Sequence, residues 1–132
     1  MNKPVNIKYI SKDTLLFILE VCRSTAPAEF AGLLRAEDNT IVEVIFLPGT
    51  TSSEVSAVLH LYMLPNMRIA GTIHSHPTPN TTPSPADLGL FARTGNCHII
   101  VGAPYSTESW TCYDGTGAKR ILQVIRTKKL SN

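Results

Sequence analysis

The chain has 132 residues, of which 43% are hydrophobic and 17% are charged, a composition that fits one compact domain and excludes a disordered or fibrous chain. The formal net charge of +2 is too small to indicate nucleic-acid binding. No apolar run is long enough to cross a membrane, and the N-terminus lacks the order of a signal peptide. We therefore expect a single cytoplasmic domain over residues 1–132 that binds neither nucleic acid nor membrane.

The first half of the chain predicts one helix followed by a hairpin. In "KDTLLFILEVCR", apolar residues recur at helical spacing and Asp13 lies in the first turn, which predicts a helix from about Lys12 to Arg23. "STAPA" ends this helix, and "EFAGLLRA" and "TIVEVIFLP" then predict two strands joined through "EDN". We expect these strands to pair as a hairpin, and "EVSAVLHL" beyond the next loop to be extended.

The second half predicts further strands around a second helix. A strand, "MRIAGTIHSH", runs into a proline-rich loop, after which "SPADLGLFARTG" predicts a helix that places Leu88, Phe91 and Ala92 on one face and ends at Gly95. The segments "CHIIVGAP" and "SWTCYD" predict strands, and "RILQVIRTK" predicts a last strand, with helix as the alternative. This order indicates an α/β domain in which a mixed central β-sheet packs against two main helices.

Two histidines close the strand "MRIAGTIHSH". Because side chains alternate along an extended strand, His74 and His76 share one face at its end and can converge on one ion. Catalytic zinc usually takes three protein ligands and leaves one position for water. Asp87 is the nearest carboxylate that could be the third ligand, and Ser84 lies one helical turn before it. The spacing predicts a metal site of His74, His76 and Asp87, with Ser84 beside the fourth position.

The same residues also fit an ordinary helix start. Ser84 can be the N-cap, Pro85 the first helical residue and Asp87 the acid of a capping box. Histidines at a half-exposed strand end likewise need no metal. Spacing alone leaves both interpretations open. The metal interpretation is favoured by the setting, since one proline-rich loop joins two elements whose ends both carry candidate ligands.

The cysteines and one further histidine suggest no chemistry of their own. Cys22, Cys97 and Cys112 are widely spaced and contain no CxxC pair, so neither a disulfide framework nor a cysteine zinc site is indicated. We expect buried free thiols, with one bridge or an intermolecular bridge as the alternative. His98, in an apolar strand, is expected to be a packed or surface histidine.

The stretch "HSHPTPNTTPSPAD" carries a resemblance to a known family. It matches the motif of the JAMM (MPN+) zinc metalloproteases, which is HxHP, six residues, Ser, two residues and Asp. The chain resembles the small, stand-alone archaeal or prokaryotic members, and this implies a single MPN domain of the cytidine-deaminase-like fold. The resemblance implies that His74, His76 and Asp87 bind one Zn²⁺ per chain with water as the fourth ligand. It also assigns Ser84 to support of the tetrahedral intermediate.

The resemblance also selects Glu29, which opens the segment "EFAGLL", as general acid/base. Several other glutamates are equally acidic, and a glutamate that begins a strand is ordinarily a solvated edge residue. Only the family pattern distinguishes Glu29 from them. Its neighbours Phe30 and Ala31 indicate a partly dry setting for the carboxyl group.

The function implied by the resemblance is hydrolysis of the peptide or isopeptide bond after the C-terminal Gly-Gly of ubiquitin or a ubiquitin-like modifier. A Gly-Gly tail has no side chains to recognise, so we expect it to pair with a strand edge, either at Glu54–Leu59, with Ser56 and Val58 as contacts, or along the loop Pro77–Pro83. The alternatives are processing of a ubiquitin-like sulfur-carrier protein and a non-catalytic MPN scaffold. We expect a monomer or a weak homodimer.

Overall fold

Within the described residues the predicted helices and strands are present in the predicted order, and Tyr9–Ser11 is an additional strand that was not predicted. The computed structural model describes residues 6–47 and 69–126. Within these ranges the elements are β1 (Tyr9–Ser11), α1 (Lys12–Thr25), β2 (Ala31–Glu37), β3 (Thr40–Phe46), β4 (Ile69–Ser75), α2 (Pro85–Phe91), β5 (Cys97–Val101), β6 (Trp110–Tyr113) and β7 (Gln123–Ile125). The predicted extended segment "EVSAVLHL", with Ser56 and Val58, lies outside the described residues.

The strands described form one mixed sheet in the order β6-β5-β4-β2-β3-β1-β7. The predicted hairpin is confirmed, because β2 and β3 pair antiparallel. Strand β4 pairs antiparallel with β2 and parallel with β5. A parallel pair needs a crossover connection, and here the proline-rich loop and α2 supply it. The carboxyl end of β4 and the start of α2 are therefore the two ends of one short loop, residues 76–84.

Helix α1 covers the β1, β3 and β7 side of the sheet. Its buried face consists of Thr14, Leu15, Ile18, Leu19 and Cys22, which recur at the spacing that predicted the helix. This face belongs to the main core with buried residues of the central strands, Leu34, Ile41, Ile73 and Ile99 among them. None of the helices in the described ranges is both long and apolar enough to span a bilayer.

Helix α2 is shorter than its pattern predicted, and its buried face was predicted wrongly in part. It ends at Phe91, although Gly95 does mark the turn into β5 with a φ of +106°. Leu90 and Phe91 are buried as α2 packs on the sheet, whereas Leu88 is 39% exposed. A seven-residue helix has only two turns, so a small rotation decides which residues face inward. Here Asp87 takes an inward position.

Candidate metal centre

His74 and His76 lie where β4 ends at the middle of the sheet. His74 is held on both sides, since it pairs with Ala31 of β2 and with Ile100 of β5. The backbone N–H of His76 donates to the Val101 carbonyl at 2.7 Å, which continues the ladder one residue past the strand. The ring centroids are 5.1 Å apart. The two imidazoles converge as predicted, and both residues are held by backbone hydrogen bonding to neighbouring strands.

Asp87 completes a group of three ligand atoms. It lies in the first turn of α2, and its side chain is 7% exposed. Its Oδ2 atom lies 3.3 Å from Nε2 of His74 and 3.9 Å from Nε2 of His76. The three ligand atoms are all within 4.8 Å of one another. The structure therefore brings together the three residues that the spacing had placed around one point.

The geometry of this group fits a zinc ion. Ligand atoms on a tetrahedral zinc with bonds of about 2.0 Å lie roughly 3.3 Å apart. The observed separations of 3.3 and 3.9 Å are close to that spacing. In the part of the chain that the structure describes, Nε2 of His74 is the one buried side-chain nitrogen or oxygen without a hydrogen-bond partner. Such an atom costs free energy unless it is satisfied, and a metal ion would satisfy it.

The ring of His76 is oriented for ligation by its own loop. Its Nδ1 lies 2.7 Å from the carbonyl oxygen of Asn80. A carbonyl only accepts hydrogen bonds, so Nδ1 carries the hydrogen and the lone pair of the neutral ring resides on Nε2, the atom that faces Asp87. The backbone is fixed as well, since Tyr105 donates its hydroxyl hydrogen bond to the His76 carbonyl at 3.3 Å.

Ser84 and Asp87 form a complete capping box at the start of α2. The Ser84 hydroxyl oxygen accepts a hydrogen bond from the Asp87 backbone N–H at 3.1 Å. Asp87 Oδ2 accepts one from the Ser84 backbone N–H at 2.9 Å. The helix-start interpretation is therefore correct, and it is compatible with the metal interpretation. The cap holds the carboxylate in place while the hydrogen of the Ser84 hydroxyl takes no part in the box.

Glu29 is not a member of the candidate ligand group found among the described residues. Strand β2 begins at Ala31, so the prediction that Glu29 opens the strand was wrong. The expected partly dry setting was also wrong, because Phe30 turns into the core and leaves Glu29 exposed. The backbone of the next residue, Phe30, is nevertheless hydrogen-bonded to β4. The hydroxyl of Ser75, between the two histidines, accepts from the Phe30 N–H, and the Phe30 carbonyl accepts from the Ser75 N–H, each at 2.9 Å.

His98 contacts residues of β4 and α2, the two elements that carry the candidate ligands, and these contacts were not predicted from the sequence. As predicted, it is a packed histidine, stacked on Phe91 at a centroid distance of 4.2 Å. Its Nδ1 is 2.8 Å from the Thr72 hydroxyl and its Nε2 is 3.1 Å from the Gly95 carbonyl. Burial lowers the pKa of His98 to about 4. A possible signal was Thr72, a polar residue on the same strand face as His74.

The cysteines are buried free thiols, as predicted. Burial raises the pKa of Cys22 to about 11, which makes it a poor nucleophile. Cys97 and Cys112 lie on neighbouring strands with their sulfur atoms 3.5 Å apart. The hydrogen bond to Cys112, followed by burial, raises the pKa of Cys97. Neither feature is typical of a nucleophilic cysteine.

The fold and the site define a class of protein, the JAB/MPN domain. Residues 11–113 match Prok-JAB, the family of prokaryotic homologs of the JAB domain. The chain therefore belongs to the Prok-JAB family. The resemblance to JAMM/MPN proteins and the expected single-domain α/β fold are confirmed.

Relatives and solved structures agree with this family. A Haloferax volcanii protein named "Probable metalloprotease" is 38% identical over 127 residues, covering 88% of this chain and 78% of that protein. A JAB1/MPN domain protein from Archaeoglobus fulgidus has 39% identity and a TM-score of 0.74, covering 89% of this chain and 99% of that one. A structure described as "JAMM: A Metalloprotease-like Zinc Site in the Proteasome and Signalosome" has 38% identity and a TM-score of 0.75, covering 92% and 100%.

Proposed function

We propose that this chain is a zinc-dependent peptidase that hydrolyses the peptide or isopeptide bond after the C-terminal Gly-Gly of ubiquitin or a ubiquitin-like modifier. The observation that carries the proposal is the convergence of His74, His76 and Asp87, whose ligand atoms lie within 4.8 Å of one another. Membership of a metalloprotease-like family supports the same reaction class. The choice of modifier rests on the resemblance to JAMM proteins.

The three residues would hold one Zn²⁺ per chain. Each contributes one ligand atom, Nε2 from either histidine and Oδ2 from Asp87, and the remaining position is left for water. When bound, zinc supplies a Lewis acid for the scissile carbonyl and lowers the pKa of its water from about 15.7 toward 7. Side chains of this protein would carry out the proton transfer and stabilise the oxyanion.

Glu29 is the proposed general acid/base. Strand register supports this role, because Ala31 pairs with His74 and Glu29 lies two residues before Ala31. The carboxylate would take a proton from the attacking water and then deliver it to the leaving amine. The carboxylate is exposed, and substrate binding would exclude water from it.

Ser84 is the proposed oxyanion donor. Its oxygen accepts from the Asp87 N–H, so the hydroxyl is held in one place by the capping box. Its hydrogen can then point at the oxygen of the scissile carbonyl as negative charge develops there. A donor positioned in this way contributes roughly 3 kcal/mol to transition-state stabilisation.

The Gly-Gly tail of the proposed substrate needs no side-chain pockets and can bind along a strand edge or a loop. Two glycines expose only backbone groups, which pair with a strand edge or a loop. The loop Pro77–Pro83 borders the candidate ligands and is our proposed wall for the tail, and Ser56 and Val58 remain the predicted contacts of the strand edge. Substitution of Ser56 or Val58 by proline should raise KM and leave zinc content unchanged.

The test is cleavage of defined conjugates. The zinc-loaded protein is incubated with ubiquitin-like proteins joined through Gly-Gly to a lysine side chain or to a C-terminal extension, with and without phenanthroline. We expect chelator-sensitive release of free modifier, and at least a 100-fold slower rate for Glu29→Gln at equal zinc content. Glu43→Gln, the same change at an exposed side chain of β3, is the matched control. Release only from short linear extensions would favour a sulfur-carrier precursor, and no cleavage would favour the scaffold alternative.

A further inference from the structure

The loop between His76 and Ser84 is fastened to strand β6 by side chains that have no part in the proposed chemistry. We propose that Tyr113 of β6 is a positioning residue for His76, acting through the backbone of this loop. The inference rests on the proposed zinc binding, but it concerns a residue that contacts neither a ligand atom nor the proposed catalytic groups.

Tyr113 and Thr111 hold the same residue of the loop. The Tyr113 hydroxyl donates to the Thr81 carbonyl at 2.6 Å. The Thr81 hydroxyl is 2.8 Å from the Thr111 hydroxyl. Tyr113 is only 3% exposed, so its hydroxyl would be buried without a partner if the loop moved away. Both contacts therefore favour a single position of Thr81.

The fixed residue is next to the one that orients His76. The Asn80 carbonyl accepts the Nδ1–H of His76 at 2.7 Å, and this carbonyl belongs to the peptide group that joins Asn80 to Thr81. Local turns stiffen the connection, since the Asn80 side chain accepts from the Thr82 N–H at 2.9 Å. A shift of Thr81 would rotate the Asn80 carbonyl, and the imidazole would lose its orientation.

The ring of Tyr113 has a separate role, which allows the hydroxyl to be tested alone. The ring stacks with Phe91 of α2 at a centroid distance of 6.0 Å and belongs with Phe91 and Ile100 to a small buried cluster. Phenylalanine keeps this packing and removes only the hydrogen bond to Thr81. Tyr113→Phe should therefore affect the loop much more than the sheet.

The experiment measures zinc affinity by competition with a chromogenic chelator, and the absorption spectrum of the Co²⁺-substituted protein. Loss of an outer partner of a ligating histidine typically weakens metal binding 10–100-fold. Because Tyr113 acts one step further out, we expect about a 10-fold weaker zinc affinity for Tyr113→Phe, at the low end of that range. The Co²⁺ ligand-field bands should shift, because they report ligand geometry, which a merely stabilising residue would not alter in the folded protein.

Tyr9→Phe is the matched control, because it makes the same change on β1, which is three strands from β4 and four from β5 in the sheet order. Thr111→Val removes the second loop contact and should weaken zinc binding in the same direction by a smaller factor. If Tyr113→Phe does not fold, the zinc affinity and Co²⁺ spectrum of Thr111→Val test the inference instead. Zinc affinity and Co²⁺ spectra equal to those of Tyr9→Phe would overturn the inference while leaving the proposed function intact. Absence of zinc binding by the unaltered chain would overturn both.

Discussion

His98, a buried histidine, should make the metal-free protein less stable at acidic pH. His98 is fully buried, stacked on Phe91 and hydrogen-bonded through both ring nitrogens. Burial, the largest cause, lowers its pKa from 6.5 to about 4, while hydrogen bonds to the backbone of Gly95 and Phe91 raise it by less. The folded protein therefore keeps this ring neutral at pH values where the unfolded chain protonates it.

The sign and size of the effect follow from linkage. Between pH 6.5 and 4 the unfolded chain binds a proton that the folded protein does not, so the free energy of unfolding falls as pH falls. Each pKa unit corresponds to about 1.4 kcal/mol, so lowering the pH to about 5 should cost roughly 2 kcal/mol through this residue. Above pH 6.5 the contribution is constant because both states carry a neutral ring.

The assay is urea unfolding followed by circular dichroism at pH 7.5 and pH 5, with a chelator present, for the unaltered chain and for His98→Gln. Glutamine is neutral at both pH values, and the other titrating groups are common to the two proteins. The unaltered chain should lose about 2 kcal/mol more than His98→Gln on acidification. Equal losses in the two proteins would refute the claim that His98 is held neutral by burial.

Two further predictions concern the serine and the thiols. Ser84→Ala should lower the free energy of unfolding by about 1 kcal/mol through loss of the N-cap and lower kcat roughly 100- to 1,000-fold, whereas Ser84→Thr should recover most of the stability. Urea unfolding and turnover measure the two effects separately, and a loss of stability without a loss of rate would remove Ser84 from the chemistry. Cys22, Cys97 and Cys112 should not react with a chromogenic disulfide reagent until the chain unfolds, because all three are buried. A thiol that reacts rapidly in the native protein would contradict this.

Much of the metal centre could be predicted because its geometry is local. Strand alternation places His74 and His76 on one face, and helical spacing places Ser84 and Asp87 at one helix end. Both patterns need only a few neighbouring residues. The structure adds that the capping box and the candidate ligand group use the same Asp87 oxygen, so the helix-start interpretation is correct and the metal interpretation is compatible with it.

The parts that could not be predicted depend on distant residues. The proposed role of Glu29 depends on the pairing of β2 with β4, which sets Ala31 opposite His74 and which no local pattern shows. Thr72 meets His98 because β4 and β5 are parallel neighbours, and Tyr113 meets Thr81 because β6 lies beside β5. The length of α2 was overestimated, because the α-helical pattern ends at Phe91 and the N–H groups of Arg93 and Thr94 donate to carbonyls three residues back.

The most direct test of the metal centre is zinc binding by the unaltered chain and by Asp87→Asn. The asparagine side-chain oxygen can still accept from the Ser84 N–H, so the cap and the free energy of unfolding of the metal-free protein should be nearly unchanged. Only the charged ligand is lost. Elemental analysis after dialysis should find one zinc per unaltered chain and a large loss in Asp87→Asn. Equal zinc retention by the two proteins, or none in the unaltered chain, would contradict the assignment of His74, His76 and Asp87 as the metal centre.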